Sequence, residues 1–198
     1  MEIHVYLAGP DVFFPDAIAR GEAKKAILAK AGMIGHFPFD NQIPPQATPT
    51  DTAYAIARAN ERMMLDCCAT GRIGIILANM TPYHGPSMDV GTGFEVGFMS
   101  ALAAIQPNVI IIGYSDDSRT FEERVITSVY GGRDHTTEKE GILYGNDGKM
   151  IETFSQADNL MITHAIAKTG GRVVNHFDEA VVLAETLIDV RDNNIQRK

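Results

Sequence analysis

The sequence predicts an α/β protein built on a doubly wound parallel sheet of five strands, with helices on both faces. Two apolar runs, IGIILA at 73–78 and NVIIIG at 108–113, are continuous rather than alternating. That is the pattern of strands covered on both sides. Such runs alternate along the chain with segments of helical length, the order expected when parallel strands are joined by crossover helices.

The first strand, IHVYLA at 3–8, stops at Gly9-Pro10, a turn signal. A helix follows over 15–31, with Pro15 and Asp16 in its first turn and Gly32 at its end. A second strand at about 33–37 runs into Pro38 and the loop FDNQIPPQATPTD. Thr50 or Asp51 caps a long helix to about residue 69, and 73–78 is the third strand. The loop NMTPYHGPSMD leads to a helix from about 91 to 104, followed by the fourth strand. RVVNHF at 172–177 supplies the fifth strand and 178–191 the last helix, beginning at Asp178. The polar, glycine-rich stretch 115–157 reads as a long surface excursion with a hairpin, so residues 1–198 are expected to form a single domain. In this architecture ligands bind beyond the carboxyl ends of the strands, where strand order reverses. Here that rim brings together loops beginning near Gly9, Phe37, Asn79 and Tyr114.

Composition excludes several classes. The chain has 198 residues, 45% hydrophobic and 21% charged, with a formal net charge of −8. An acidic chain without a basic stripe is a poor partner for nucleic acid or an anionic membrane. No apolar run reaches the roughly 18–20 residues a membrane span requires, and MEIHVYLAGP is too short and too soon interrupted for a signal peptide. The only cysteines, Cys67 and Cys68, are adjacent, which suits neither a structural disulfide nor a metal site, and a cytoplasmic location is expected. GTGFEVG is GxGxxxG after the third strand, and AGPDVF follows the first, so the dinucleotide and Walker-type fingerprints are both missing.

The most informative stretch is GPSMDVGTGFEVGFMSAL at 85–102. Asp89 and Glu95 are its only charged groups, amid glycine, small and apolar residues. Burying a carboxylate in such a run is costly unless partners or chemistry compensate. Glycines at 91, 93 and 97 permit close approach around it. Glu95 is thus the leading catalytic candidate, beside the blander possibility of a first-turn acid favouring the helix dipole. Tyr6, at the end of the first strand, can point into the same rim.

YLAGPDVF, FPFDNQ, ANMTPYHGPSMDVGTGFEVGF and NLM at 159–161 occur in this order. The set resembles the nucleoside 2-deoxyribosyltransferase family over residues 3 to about 190, with 115–150 poorly matched. The resemblance implies a flavodoxin-like fold. It further implies transfer of 2-deoxyribose between purine or pyrimidine bases, in nucleoside salvage, through a covalent deoxyribosyl-glutamate with retention. Glu95 would be the nucleophile, Tyr6 its orienting partner and Asp89 the group binding the deoxyribose hydroxyls. Asp40 and Asn41 would match the family's loop at the edge of the site, and Phe13 an apolar wall against the base. Gly91 would belong to the substrate-binding segment. Asn159 and Met161 would match residues inserted from a neighbouring subunit, implying a dimer-based homo-oligomer, up to a hexamer, with composite sites. Deoxynucleosides and free bases are the implied partners, with no metal or organic cofactor.

One departure from the family concerns an acid before the third strand that contacts the departing base. Gly74 or Cys68 falls there, depending on the direction of counting, with Asp66 or a water as substitutes. Two rival activities remain at this level: a 2′-deoxynucleoside 5′-monophosphate N-glycosidase, using Ser87 and loop 85–88 for phosphate, and a non-catalytic nucleotide-binding module. Hydrogen bonding from Tyr6 and the helix N-terminus are expected to keep the Glu95 pKa low enough for it to attack as the anion.

Overall fold

The computed structural model describes residues 1–196. Five strands form one fully parallel sheet: β1 (Glu2–Ala8), β2 (Ile34–His36), β3 (Arg72–Asn79), β4 (Val109–Tyr114) and β7 (Val173–Val174). Their order is β2-β1-β3-β4-β7, the flavodoxin-like arrangement. Strand order reverses between β1 and β3, which pair in register from Glu2↔Arg72 to Ala8↔Ala78. The carboxyl ends of these two strands therefore frame the crevice.

Alternation along the central strands sends side chains to two cores. Val5, Leu7, Ile75, Leu77, Ile110 and Ile112 pack against α1 (Ala17–Lys30) and α6 (Phe177–Gln196). Tyr6, Ala8, Ile76, Ala78 and Ile111 face α2 (Pro49–Cys67), α3 (Val90–Ile105) and α5 (Leu160–Ala167). This period of two puts the Tyr6 ring on the same side as Glu95.

Element boundaries differ from the sequence reading in explicable ways. The first helix begins at Ala17, because Pro10–Phe13 closes a separate 3-10 turn. Thr48, not Thr50 or Asp51, caps α2, accepting a hydrogen bond from the Asp51 amide at 3.1 Å. The fifth strand contracts to two residues, since only Gly113 and Tyr114 offer it a parallel partner.

The 115–157 stretch contains the expected hairpin, β5 (Thr136–Lys139) with β6 (Ile142–Gly145). It also contains a helix that the sequence reading missed, α4 (Phe121–Ser128), opened by a reciprocal cap between Thr120 and Glu123. Ile126, Leu143 and Ile151 bury a small satellite core between α4 and the hairpin. Among the described residues, no helix is long and apolar enough to cross a membrane.

Candidate active site

Asp89 caps α3: its Oδ2 accepts from the Thr92 amide at 3.1 Å. Glu95 follows within the second turn, and the Tyr6 hydroxyl donates to its Oε1. Tyr6 is completely buried and Glu95 partly so, which shields this hydrogen bond from water. Among the described residues neither Glu95 Oε2 nor Asp89 Oδ1 accepts a hydrogen bond, so each carboxylate retains one uncommitted oxygen.

The electrostatics refine one expectation. The Glu95 carboxyl is not lowered but pushed up to about 7. Burial is the main cause. Repulsion from Asp89 adds to it, and the Tyr6 hydrogen bond opposes it without prevailing. The Tyr6 phenol is raised by burial and by the adjacent Glu95 charge.

The other predicted site residues are spread around this pair. Gly91 lies in the first turn of α3, where a Cβ would stand 2.9 Å from Asp89 Oδ2 and press on the capping carboxylate. Phe13 is 58% exposed at the end of the turn after β1 and stacks on Tyr83 at 5.1 Å, on which His84 stacks in turn at 4.0 Å. Asp40 binds Lys25 Nζ at 2.7 Å and the Phe37 amide at 2.8 Å, and Asn41 donates to Asn60 at 3.2 Å. These two line a cavity of about 890 Å³ beside β2, whose walls also include His4, His36, Arg62 and Asp66 but neither Tyr6 nor Glu95. Asp40 and Asn41 are thus committed to local structure and stand apart from the Tyr6–Glu95 pair.

Asn159 caps α5, bonding the Met161 amide at 3.0 Å, and its amide group donates to Glu152 at 2.7 Å. Met161 is 66% exposed. Among the described residues neither side chain is hydrogen-bonded to Glu95. The two candidates for the family's base-side acid prove to be packed on each other, since a Cβ on Gly74 would lie 2.4 Å from Cys68 Sγ. Burial raises the Cys68 thiol to about 11, so it stays protonated and apolar in character. No acid can stand at position 74 while Cys68 fills that space.

Sequence reasoning overlooked two polar clusters near the rim. Asp11, 4% exposed, binds Lys24 Nζ at 2.6 Å and Asn79 Nδ2 at 3.0 Å, tying the turn after β1 to the end of β3. The signal was Asp11 directly after Gly9-Pro10, read only as the absence of a fingerprint. The second cluster centres on Arg124 and Asp158, the first within the stretch read as excursion and the second just beyond it. Among the described residues no group of three or more His, Cys, Asp or Glu could hold a metal ion.

Fold and site together define a doubly wound α/β protein with two neighbouring carboxylates, Asp89 and Glu95, beside the point where strand order reverses. The chain belongs to the nucleoside 2-deoxyribosyltransferase family: the family model of that description matches residues 5–161. A solved 2-desoxiribosyltransferase from Leishmania mexicana is similar at 25% identity and a TM-score of 0.64, over 92% of this chain and 97% of that one. An uncharacterized protein of Schizosaccharomyces pombe is 30% identical over 182 residues, covering 87% of this chain and 81% of the relative. A conserved protein from Enterococcus faecalis, 16% identical with a TM-score of 0.57 over 93% of this chain and 99% of that one, shares the fold. Family and neighbour support a function of the nucleoside 2-deoxyribosyltransferase kind, that of a pentosyl-transferring enzyme.

Proposed function

We propose that the protein moves 2-deoxyribose from one nucleobase to another, with Glu95 as nucleophile. The observation that carries this reading is the buried Tyr6–Glu95 hydrogen bond at the carboxyl ends of the strands. Tyr6 holds Oε1 and leaves Oε2 for the sugar. As the C1′–N bond lengthens, cationic charge gathers at C1′ and the facing carboxylate stabilises it. Oε2 then closes an ester to C1′ as the bond electrons depart with the base. A ring nitrogen of a second base attacks C1′ from the opposite side, and the electron pair returns to Glu95, giving net retention. Asp89 Oδ1 accepts hydrogen bonds from the deoxyribose hydroxyls. Cys68 and Gly74 offer no proton for the leaving base, so water or Asp66 gives that proton and recovers one from the ring nitrogen of the incoming base.

A carboxyl titrating at about 7 is ionised in about half the molecules at neutral pH. It reacts as the anion yet is poorly hydrated, which favours attack on an electron-poor carbon. Ser87, the hydroxyl that the sequence offers for a 5′-phosphate, donates to Asp158 at 2.6 Å, and this disfavours the monophosphate-cleaving alternative.

The same reading makes the whole chain one working unit and the assembly a homo-oligomer whose Asn159 and Met161 serve a neighbouring site. In its favour, the outer face of α3 is apolar: Val90, Phe94 and Ile105 are 88%, 58% and 77% exposed. Nucleoside salvage in the cytoplasm is the expected setting. Deoxyinosine incubated with adenine or cytosine tests the reaction. A new deoxynucleoside formed by the wild type and lost by several orders of magnitude in folded Glu95→Ala is expected. Wild-type-like transfer by Glu95→Ala overturns the assignment.

A further inference from the structure

Arg124 and Asp158 are 1% and 0% exposed, and neither belongs to the site described above. Burying such a pair costs several kcal/mol per ion unless its hydrogen-bonding capacity is satisfied. Here the capacity is well used, and much of it is spent on the segment just before Asp89.

The Arg124 guanidinium donates through Nε to the Pro86 carbonyl at 2.6 Å and through Nη1 to the Arg119 carbonyl at 2.6 Å. Its Nη2 donates to the Ala157 carbonyl and lies 3.5 Å from Asp158 Oδ2. Asp158 accepts from Ser87 Oγ at 2.6 Å, from the Met88 amide at 3.1 Å and from the Asn159 amide at 2.8 Å. Residues 86, 87 and 88 are therefore all pinned, and residue 89 is the cap of α3. One carboxylate binds the backbone on the approach to both α3 and α5. These helices also meet directly, since a Cβ on Gly93 would rest 3.9 Å from Ile162 Cδ1.

We infer that the buried Arg124–Asp158 pair is a positioning device, fixing Asp89 against Glu95 and setting both in register with Asn159. The inference rests on the reading of Glu95 and Asp89 as reacting and sugar-binding groups. It also gives α4 a role, since this helix carries the arginine that binds loop 86–88. The device differs from a generic buried ion pair because three of its hydrogen bonds go to consecutive residues of one short loop. A displacement of about 1 Å in such a loop can cost on the order of 100-fold in rate.

The titratable groups beside Glu95 are Tyr6 from β1 and Asp89 at the start of its own helix. Cys67 from α2 lies beside Tyr6. If the pair fixes Asp89, releasing the loop lets that carboxylate draw away from Glu95 and weakens the repulsion. The Glu95 midpoint then falls, a change that loss of stability alone does not produce.

The test uses Asp158→Asn, Arg124→Lys, Arg124→Met and the milder Ser87→Ala, each checked for folding by circular dichroism. Two measurements follow: the ionisation midpoint of Glu95 by carboxyl-carbon NMR, and kcat/KM for transfer from deoxyinosine to adenine. Asp158→Asn is expected to lower the midpoint and to cut kcat/KM on the order of 10–100-fold. Arg124→Lys should lie between wild type and Arg124→Met, and Ser87→Ala should show the smallest change in the same direction. Folded variants with wild-type midpoint and kcat/KM overturn the inference. Should Asp158→Asn and Arg124→Met fail to fold, an unmoved midpoint in Ser87→Ala and Arg124→Lys overturns it equally. The midpoint needs no turnover, so a wild type without transferase activity refutes the proposed reaction while leaving this test decisive.

Discussion

Replacing Glu95 with glutamine keeps the shape of the side chain and its capacity to accept from Tyr6, while removing a charge that the fold holds at a cost. Burial and Asp89 raise this carboxyl from 4.5 to about 7. Folding thus favours the protonated form. Between those two pH values the folded protein binds more protons than the unfolded chain, so stability falls as pH rises. The penalty is absent below about pH 4.5 and complete above about pH 7. At about 1.4 kcal/mol per pH unit, it amounts to on the order of 3 kcal/mol. Glu95→Gln should therefore match wild type near pH 4.5 and exceed it at pH 8 by about that amount. For a chain of this size the gain corresponds to roughly 6–12 °C in Tm. Thermal and urea unfolding of both proteins at pH 5 and pH 8 would show it, provided each transition is reversible. A glutamine variant no more stable at pH 8, or one whose advantage is the same at both pH values, would refute the electrostatic account of the site.

Tyr6→Phe removes the one interaction that lowers the Glu95 pKa. A hydrogen bond to a charged group is worth about 1.5–3 kcal/mol, so the acid limb of the kcat/KM profile should move up by about one to two pH units. Activity at pH 7 should fall on the order of 10–100-fold, and an unmoved limb would show that the hydroxyl does not act on Glu95. Gly74→Asp, which restores an acid at the family's base-side position, should destabilise by about 1–3 kcal/mol through overpacking against Cys68. Adding Cys68→Ala should recover part of that loss in thermal unfolding. A fully stable single variant would contradict the packing of these two residues.

The sheet was legible because its central strands carry their burial in the sequence. IGIILA and NVIIIG leave almost no polar position to face water, so the strands followed from these runs, and their parallel pairing from the helices between them. Glu95 and Tyr6 were legible for a related reason: a charge among glycines and apolar residues, and a tyrosine ending an apolar strand, are local anomalies. The Glu95 pKa was not legible, because its sign depends on how burial, Asp89 and Tyr6 balance in three dimensions. Helix α4 escaped notice because eight residues flanked by polar turns carry a weak periodic signal. Arg124 and Asp158 carried no signal, because nothing in the chain states that two residues so far apart in sequence meet inside the fold. Cys68 and Gly74 appeared as alternative occupants of one place, and only the packing shows that one fills the space above the other.

The hairpin β5–β6 has its own consequence for how such a scaffold can change. It rests on α4 through Ile126, Leu143 and Ile151, with no strand of its own in the main sheet. The segment is anchored on either side of the hairpin, at Arg124 and Asp158, to the loop ahead of Asp89. Insertions, deletions or new surface chemistry in the intervening residues would be absorbed by the satellite core without reaching Glu95. The molecule thus carries an evolvable margin with a core of its own, separate from the one that holds Tyr6.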